Sequence, residues 1–489
     1  MTLSNKITKL CAIIPISVVL VIINILRIFK VPITIDETGY VPSEGYLFTM
    51  YKSYPSANNH ILNSLLRKFF VENFGDNIFF LRFDSLLAQL VFLFFSYKLF
   101  SKLFQDPLWV VLGFIVLNTF SPFVFDFWGL SRGYGLGMAF LLMSIYYAFD
   151  FFSTTQIRQL VFSLFAGLLA VYSNFGFLSY YVALIGVIAV HNLFNTRERL
   201  TAKWVVSQLV ALIVVSGIMA ALIVKPLIII KKGGEMGFLG QTGFKADTIN
   251  SLVACTLYNG GAIERTKLIT NIVFGSLFLC GGFWILCFLR DIRAGKRCSA
   301  ETRNGILFYL LLVLPCLLLV IEFRLFKINY LISRAAVYFT ILYAFQPIYI
   351  CYYLREVKFR MGIAAMVVVL AITSFNFWSN INFRYAFLWW FNSADIIALR
   401  KMASEHSGKP GKIKISVNGL FVQTISYDVN HYFKQDFDVP QTFDGEKSVD
   451  STLDFYYVWK EESNKVPSGY ELDTLLVGAG DCALLHRKK

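Results

Sequence analysis

Long apolar stretches separated by short polar ones organise the chain. Stretches suited to crossing a bilayer fall near residues 9–29, 79–99, 108–126, 134–152, 160–175, 177–194, 204–224, 268–289, 305–323, 333–353 and 361–378. About 20 apolar residues in a helix cover the hydrocarbon thickness, so the pattern predicts a polytopic α-helical membrane protein with about eleven transmembrane helices. The first stretch is too long for the apolar core of a cleavable signal, and no small-residue cleavage site follows it. It reads as a retained span.

Three longer polar segments interrupt this pattern, at 31–78, 225–267 and 379–489. Within the first, residues 57–75 place Ile61, Leu62, Leu65, Leu66, Phe69 and Phe70 at helical spacing, with His60, Asn63, Ser64 and Arg67 on the other face. Such a helix suits the membrane interface, its polar stripe turned to protein or water. The second segment is rich in Gly and Lys. The third predicts a helix over 393–406, a Gly-Lys-Pro-Gly break at 408–411, and β-rich runs at 412–427, 452–459 and 472–485. The expected organisation is a membrane module over 1–378 and a small soluble α/β or α+β domain over 379–489.

Composition agrees with the pattern. The 489 residues are 56% hydrophobic and only 16% charged, with a mean hydropathy of +0.60, outside the range of ordinary soluble domains. The net charge of +14 raises the question of nucleic acid. The basic residues are dispersed through short loops, however, with no basic domain or aromatic-basic strip, so no nucleic-acid partner is expected. Alternate loops carry Lys6 and Lys9; Lys98 and Lys102; Arg158; Arg197, Arg199 and Lys203; Arg290, Arg293, Lys296, Arg297 and Arg303; and Arg355, Lys358 and Arg360. The positive-inside rule makes these loops cytoplasmic. The N-terminus is then inside, and an odd number of spans leaves the C-terminal domain outside. The eight cysteines include no C-x-x-C pair and read as small apolar packing residues.

Chemistry concentrates at the outer ends of the spans. Asp36 and Glu37 follow the first span directly. As a hydrated turn they would merely end a helix, yet two carboxylates at a water–lipid boundary are also placed for acid–base work there. Asp126 and Arg132 lie in FDFWGLSRGYGLG, where Arg132 opens a span beside Gly133, Gly135 and Gly137. Small residues allow close approach of neighbours or of a ligand, and a guanidinium suits a phosphate through paired hydrogen bonds. The glycine pattern follows a membrane helix and no strand, which excludes a dinucleotide fold. Lys225, Lys231, Lys232, Lys245, Arg324, Lys327 and Arg334 oppose the positive-inside trend. Arg334 begins an apolar span, where charge is costly and tends to be functional. Arg82 and Asp84, at the entrance to the second span, are expected to pair with each other.

Through TIDETGY (34–40), SANNHILNSLL (56–66) and LSRGYGLGMAFLL (130–142), residues 1–378 resemble the GT-C superfamily of membrane glycosyltransferases. That superfamily includes protein O-mannosyltransferases and the aminoarabinose transferases of lipid A. The strings, and ISVNGL (415–420) in the tail, are most similar to glycosyltransferase-like proteins of Bacteroidota. The resemblance implies a bacterial inner-membrane enzyme with its active site and C-terminal domain on the periplasmic side. It implies transfer of a sugar from a polyprenyl-phosphate donor to a lipid, glycan or protein acceptor, with membrane lipids around it. Asp36 falls at the position of the catalytic carboxylate, with Glu37 as its neighbour. Arg132 resembles the arginine near the lipid phosphate, and Arg334, Lys225 and His60 are further candidates there. Asn59 and Glu37 would orient the sugar or the base.

The chain departs from the oligosaccharyltransferase branch, which is the alternative enzyme reading. It has no second acidic D-x-D-like motif in the outer loops and no W-W-D-type motif, since Trp389-Trp390 is followed by Phe391. A metal-independent route is therefore favoured, with no metal ligands assigned. A lipid or glycan transporter is the rival of another class. It would carry broken or charged helices near mid-membrane, repeated in two halves, and the sequence has no such repeat.

Overall fold

The computed structural model describes residues 3–38, 60–194, 201–234, 239–258, 263–295, 298–443, 452–476 and 481–488. Helices dominate. The first is α1 (Leu3–Lys30), followed by the single turn α2 (Ile35–Thr38). Then come α3 (Ile61–Phe74), the short α4 (Ile78–Leu81), α5 (Phe83–Leu103), α6 (Pro107–Thr119), α7 (Pro122–Asp126) and α8 (Gly133–Thr154). Next are α9 (Ile157–Ser173), α10 (Leu178–Phe194), α11 (Ala202–Lys232), α12 (Asn250–Thr256), α13 (Ile263–Arg293), α14 (Ala300–Phe326), α15 (Tyr338–Val357) and α16 (Phe359–Asn380).

Eight helices among the described residues are long and apolar enough to cross a membrane. The helices α6 and α9 are apolar but shorter, and α15 has 20 residues. All eleven apolar stretches are largely helical, two of them broken at Arg82 and near Phe120, and the fold is that of a polytopic α-helical membrane protein. Local chemistry sets several boundaries. Asp106 and Ser121 cap α6 and α7 through their side-chain oxygens, each with a proline at the start, the arrangement that satisfies free N–H groups at a helix start. The stretch at 108–126 is consequently split in two. The helix α11 runs to Lys232, because Pro226–Ile230 prolongs the apolar run, so Lys225 lies inside a helix.

By contacts the chain forms two compact units. Among the described residues the first holds 3–24, 60–67 and 83–381, and the second holds 25–38, 68–82 and 382–488. In the first unit α8 is the most buried of the long helices and packs against α9 and α5. Large apolar side chains remain exposed on other helices, including Leu279, Leu286 and Phe375, as a lipid-facing surface requires.

In the second unit the last 100 or so residues build a mixed sheet. After α17 (Asp395–His406) the chain turns through Gly408 and Gly411, both in the left-handed region with φ of +84° and +88°, which favours glycine. The strand β1 (Ile415–Asn418) leads into α18 (Val422–Tyr432) and β2 (Gln441–Phe443); β3 (Phe455–Trp459), β4 (Tyr470–Leu476) and β5 (Cys482–Arg487) follow. The strand order is β2-β1-β3-β5-β4. The β1 strand is parallel to β2 and β3, while β5 is antiparallel to β3 and β4. Leu399, Met402, Ile415, Val417, Ile425 and Tyr457 form the main core. The β-rich reading of 412–427 is corrected: after Asn418 the segment is helical, and Ile425 and Val429 bury one face of that helix on the sheet.

Candidate active site

In the second unit the acidic pair is carried by α2, which starts with one half of a capping box. Thr34 N–H donates to Glu37 Oε2 at 2.9 Å, the reach-back bond of an N3 glutamate. Glu37 is fully buried. Arg82 directs its five N–H donors inward: to Glu37 Oε1 at 2.8 Å and Oε2 at 2.7 Å, and to the carbonyls of Ile28, Val31 and Pro32 at 3.0, 2.9 and 2.9 Å. The expected Arg82–Asp84 pair is therefore corrected. Residues two apart do not face each other on a helix, and Asp84 instead accepts a hydrogen bond from Asn63 Nδ2. Glu37 acts as an anchor for the loop.

Asp36 is the half-buried member of the pair. Its Oδ2 accepts a hydrogen bond from Trp389 Nε1 at 3.2 Å. Thr38 Oγ1 donates to Ile35 O at 2.9 Å and to Gln423 Oε1 at 3.4 Å. Nothing in the sequence patterns singled out Trp389 as a partner of Asp36, because the two lie 353 positions apart and only the tertiary fold joins them.

In the first unit His60 and Arg132 are buried and Arg334 is half-buried. The polar stripe of α3 turns inward, with Asn63, Ser64 and Arg67 buried, while Phe69 stays 54% exposed. The helix is thus two-faced, as its spacing predicts. His60, immediately before α3, is 4% exposed and Arg132 is 2% exposed. The His60 ring meets Tyr134 edge-on with centroids 4.7 Å apart, and Asn174 Nδ2 lies 3.4 Å from its Nδ1. Its other nitrogen, Nε2, is buried with no hydrogen-bond partner among the described residues. Burial, followed by the positive charges of Arg132 and Arg334, holds His60 well below the usual histidine range, so it is neutral at physiological pH.

The segment leading into Arg132 is held on several sides. Asn24 Nδ2 donates to Trp128 O at 2.9 Å, Ser85 Oγ to Leu130 O at 2.5 Å, and Tyr258 OH reaches both oxygens of Asp126 at 2.7 Å. Gly133 fits where a Cβ would collide with Ser173 O and the His60 side chain. The glycines opening α8 thus admit neighbouring protein atoms. Arg334 sits in the 3₁₀ turn Ser333–Ala336, just after Ser333 at φ +46°, a strained conformation for a non-glycine residue. Ser333 N–H donates to Ser251 Oγ at 2.8 Å, and Thr248 Oγ1 to Leu331 O at 2.7 Å. These bonds tie the Arg334 turn to the segment 245–256.

That segment, with α13–α16, lines a partly open apolar pocket of about 320 Å³ whose walls include Phe120, Leu252, Val273, Leu312, Phe339 and Val369. The structure therefore brings together His60, Arg132 and Arg334. It places Lys225 on the exposed face of α11, and Asn59 lies outside the described residues.

Among the described residues the one group of three with metal-ligand geometry is Glu405, Asp473 and His486 in the sheet domain. Lys401 Nζ lies 2.8 Å from Asp473 and 3.6 Å from Glu405, so an ammonium already pairs with both carboxylates of that group.

No protein-family model matches the chain, and no curated protein matches it. Two solved structures run alongside nearly all of it. ArnT from Cupriavidus metallidurans in the apo state is 11% identical, covering 97% of this chain and 96% of that one with a TM-score of 0.49. ArnT from the same organism bound to undecaprenyl phosphate is 11% identical, covering 97% of each chain with a TM-score of 0.45. Each is a similarity only, and no residue role follows from it.

Proposed function

We propose that this chain is an inverting GT-C type glycosyltransferase of the bacterial inner membrane. It moves a sugar from a polyprenyl-phosphate donor to a hydroxyl of a lipid, glycan or protein at the periplasmic face. The observation that carries the reading is the cluster of His60, Arg132 and Arg334 in the membrane unit. Arg132 is buried and Arg334 half-buried, and both charges act on a buried, neutral His60; a bound anion complements two guanidinium charges in such surroundings. A phosphate suits the planar donors of arginine, and the apolar cavity beyond the Arg334 turn suits hydrocarbon.

In the proposed reaction an acceptor oxygen attacks the anomeric carbon. The bond from that carbon to the phosphate oxygen breaks, and the electron pair leaves with the phosphate. Asp36 takes the proton of the acceptor hydroxyl as general base. The basic cluster offsets the charge that grows on the departing phosphate. Arg82 fixes Glu37 and thereby the turn that presents Asp36. No metal is assigned to the reaction.

Mass spectrometry of glycolipids and glycoproteins from cells with and without the gene tests the reading. A sugar-bearing product should disappear with the gene. Identical glycoconjugates in both would overturn it.

A further inference from the structure

We propose that Trp389 is a positioning residue for Asp36, which makes the polypeptide after the last span part of the reactive loop's architecture. This inference rests on the reading of Asp36 as the general base. Trp389 is 3% exposed, whereas its neighbour Trp390 is 41% exposed. The contrast follows from the backbone: Trp389 breaks the 3₁₀ segment Phe387–Ala394 with φ −122° and ψ 30°. Its indole N–H then donates to Asp36 Oδ2 at 3.2 Å.

Both partners hang from one support within the second unit. The end of α1 offers carbonyls of Ile28 and Val31 to Arg82, which also grips Glu37 beside Asp36. One turn earlier, Arg27 is buried and donates to the carbonyls of Asn382 and Tyr385, at the start of the segment that leads to Trp389. Lys30 stands 5.5 Å over the Phe383 ring. Two arginines from α1 and α4's end thus fix the two chain segments to the same helix terminus. The indole N–H holds one carboxylate oxygen of Asp36. Loss of that bond removes one restraint on the carboxylate, and a misplaced base loses rate without losing substrate affinity.

The test uses the full-length protein in membranes and the initial rate of formation of the product that disappears with the gene. Trp389→Phe keeps the aromatic bulk and removes the donor. Its maximal rate should fall about tenfold, the scale of a hydrogen bond to a charged group, with the half-saturating donor concentration unchanged. Trp390→Phe should match the parent. The deciding comparison is made in Asp36→Ala, where the acceptor oxygen is gone. There Trp389→Phe should change the residual rate by less than about twofold, because a residue acting through Asp36 has nothing left to position. A tenfold fall in both backgrounds would mean a general structural role and would overturn the inference. So would a parent-like rate in Trp389→Phe while Asp36→Ala is impaired. A parent-like rate in Asp36→Ala would instead remove the reading of Asp36 itself.

Discussion

Arginine 132 concentrates the physical problem at the scale of single residues. A guanidinium with 2% exposure acts, together with the charge of Arg334, on His60, which burial and both charges hold neutral. If Arg132 holds the donor phosphate as proposed, Arg132→Lys keeps the charge but loses the planar fork, so binding of a polyprenyl phosphate by the full chain in nanodiscs should weaken by about tenfold. Arg132→Ala should weaken it by a hundredfold or more, the order expected for losing one charge-assisted pair. Equal affinity in parent and both variants would leave Arg132 as a packing residue. The candidacy of Arg132 and Arg334 was legible because charge at the mouth of an apolar span is conspicuous. The role of Gly133 was half-legible: close approach could be anticipated, but that Ser173 and His60 fill the space is a tertiary fact.

Among the elements, α2 is the smallest and the most constrained. Four residues cannot hold a helical turn by their own propensity. The turn persists because Glu37 is locked into Arg82, whose other donors hold three carbonyls at the end of α1. Removing one partner of a buried pair leaves an uncompensated charge and costs about 3–5 kcal/mol. Arg82→Met should therefore lower the thermal midpoint of the detergent-solubilised protein clearly, and adding Glu37→Gln should restore part of the loss. An unchanged midpoint in Arg82→Met would show that the pair holds nothing. The sequence made the eleven apolar helices and the two-faced α3 legible, since both depend on local periodicity. It misassigned Arg82 because partner choice depends on which backbone bends back toward it. It misread α18 because Phe421, Val422, Ile425 and Val429 are β-prone residues, and only their burial on the sheet selects the helical period.

The whole molecule divides into two compact units, and the acidic turn belongs to the same unit as the sheet domain. That unit carries two buried acids with a shared consequence for pH. Burial pushes Asp395 up to about 7, against hydrogen bonds from Thr424, Asn392 and Tyr457 that lower it. Burial and then the charge of Asp395 push Asp428 up to about 8. In the unfolded chain both ionise near pH 4. Between about pH 4 and pH 7 the folded unit binds more protons than the unfolded chain, so stability falls as pH rises through that window. The slope reaches about 1.4 kcal/mol per pH unit for each group, and the loss is complete above about pH 8. Thermal midpoints measured from pH 5 to 8.5 should decline, and Asp395→Asn should flatten the decline relative to the parent. A variant that declines as steeply as the parent would contradict the assignment.

Asp36→Asn offers the most direct measurement, because it preserves size and removes basicity. Cells carrying the parent gene, the Asp36→Asn gene or no gene are compared by mass spectrometry of their glycolipids and glycoproteins, with membrane levels of the protein matched. If Asp36 is the general base of a polyprenyl-phosphate-dependent transfer, the product present with the parent gene falls at least about a hundredfold with Asp36→Asn and is missing without the gene. Product at the parental level in Asp36→Asn cells would contradict that reading.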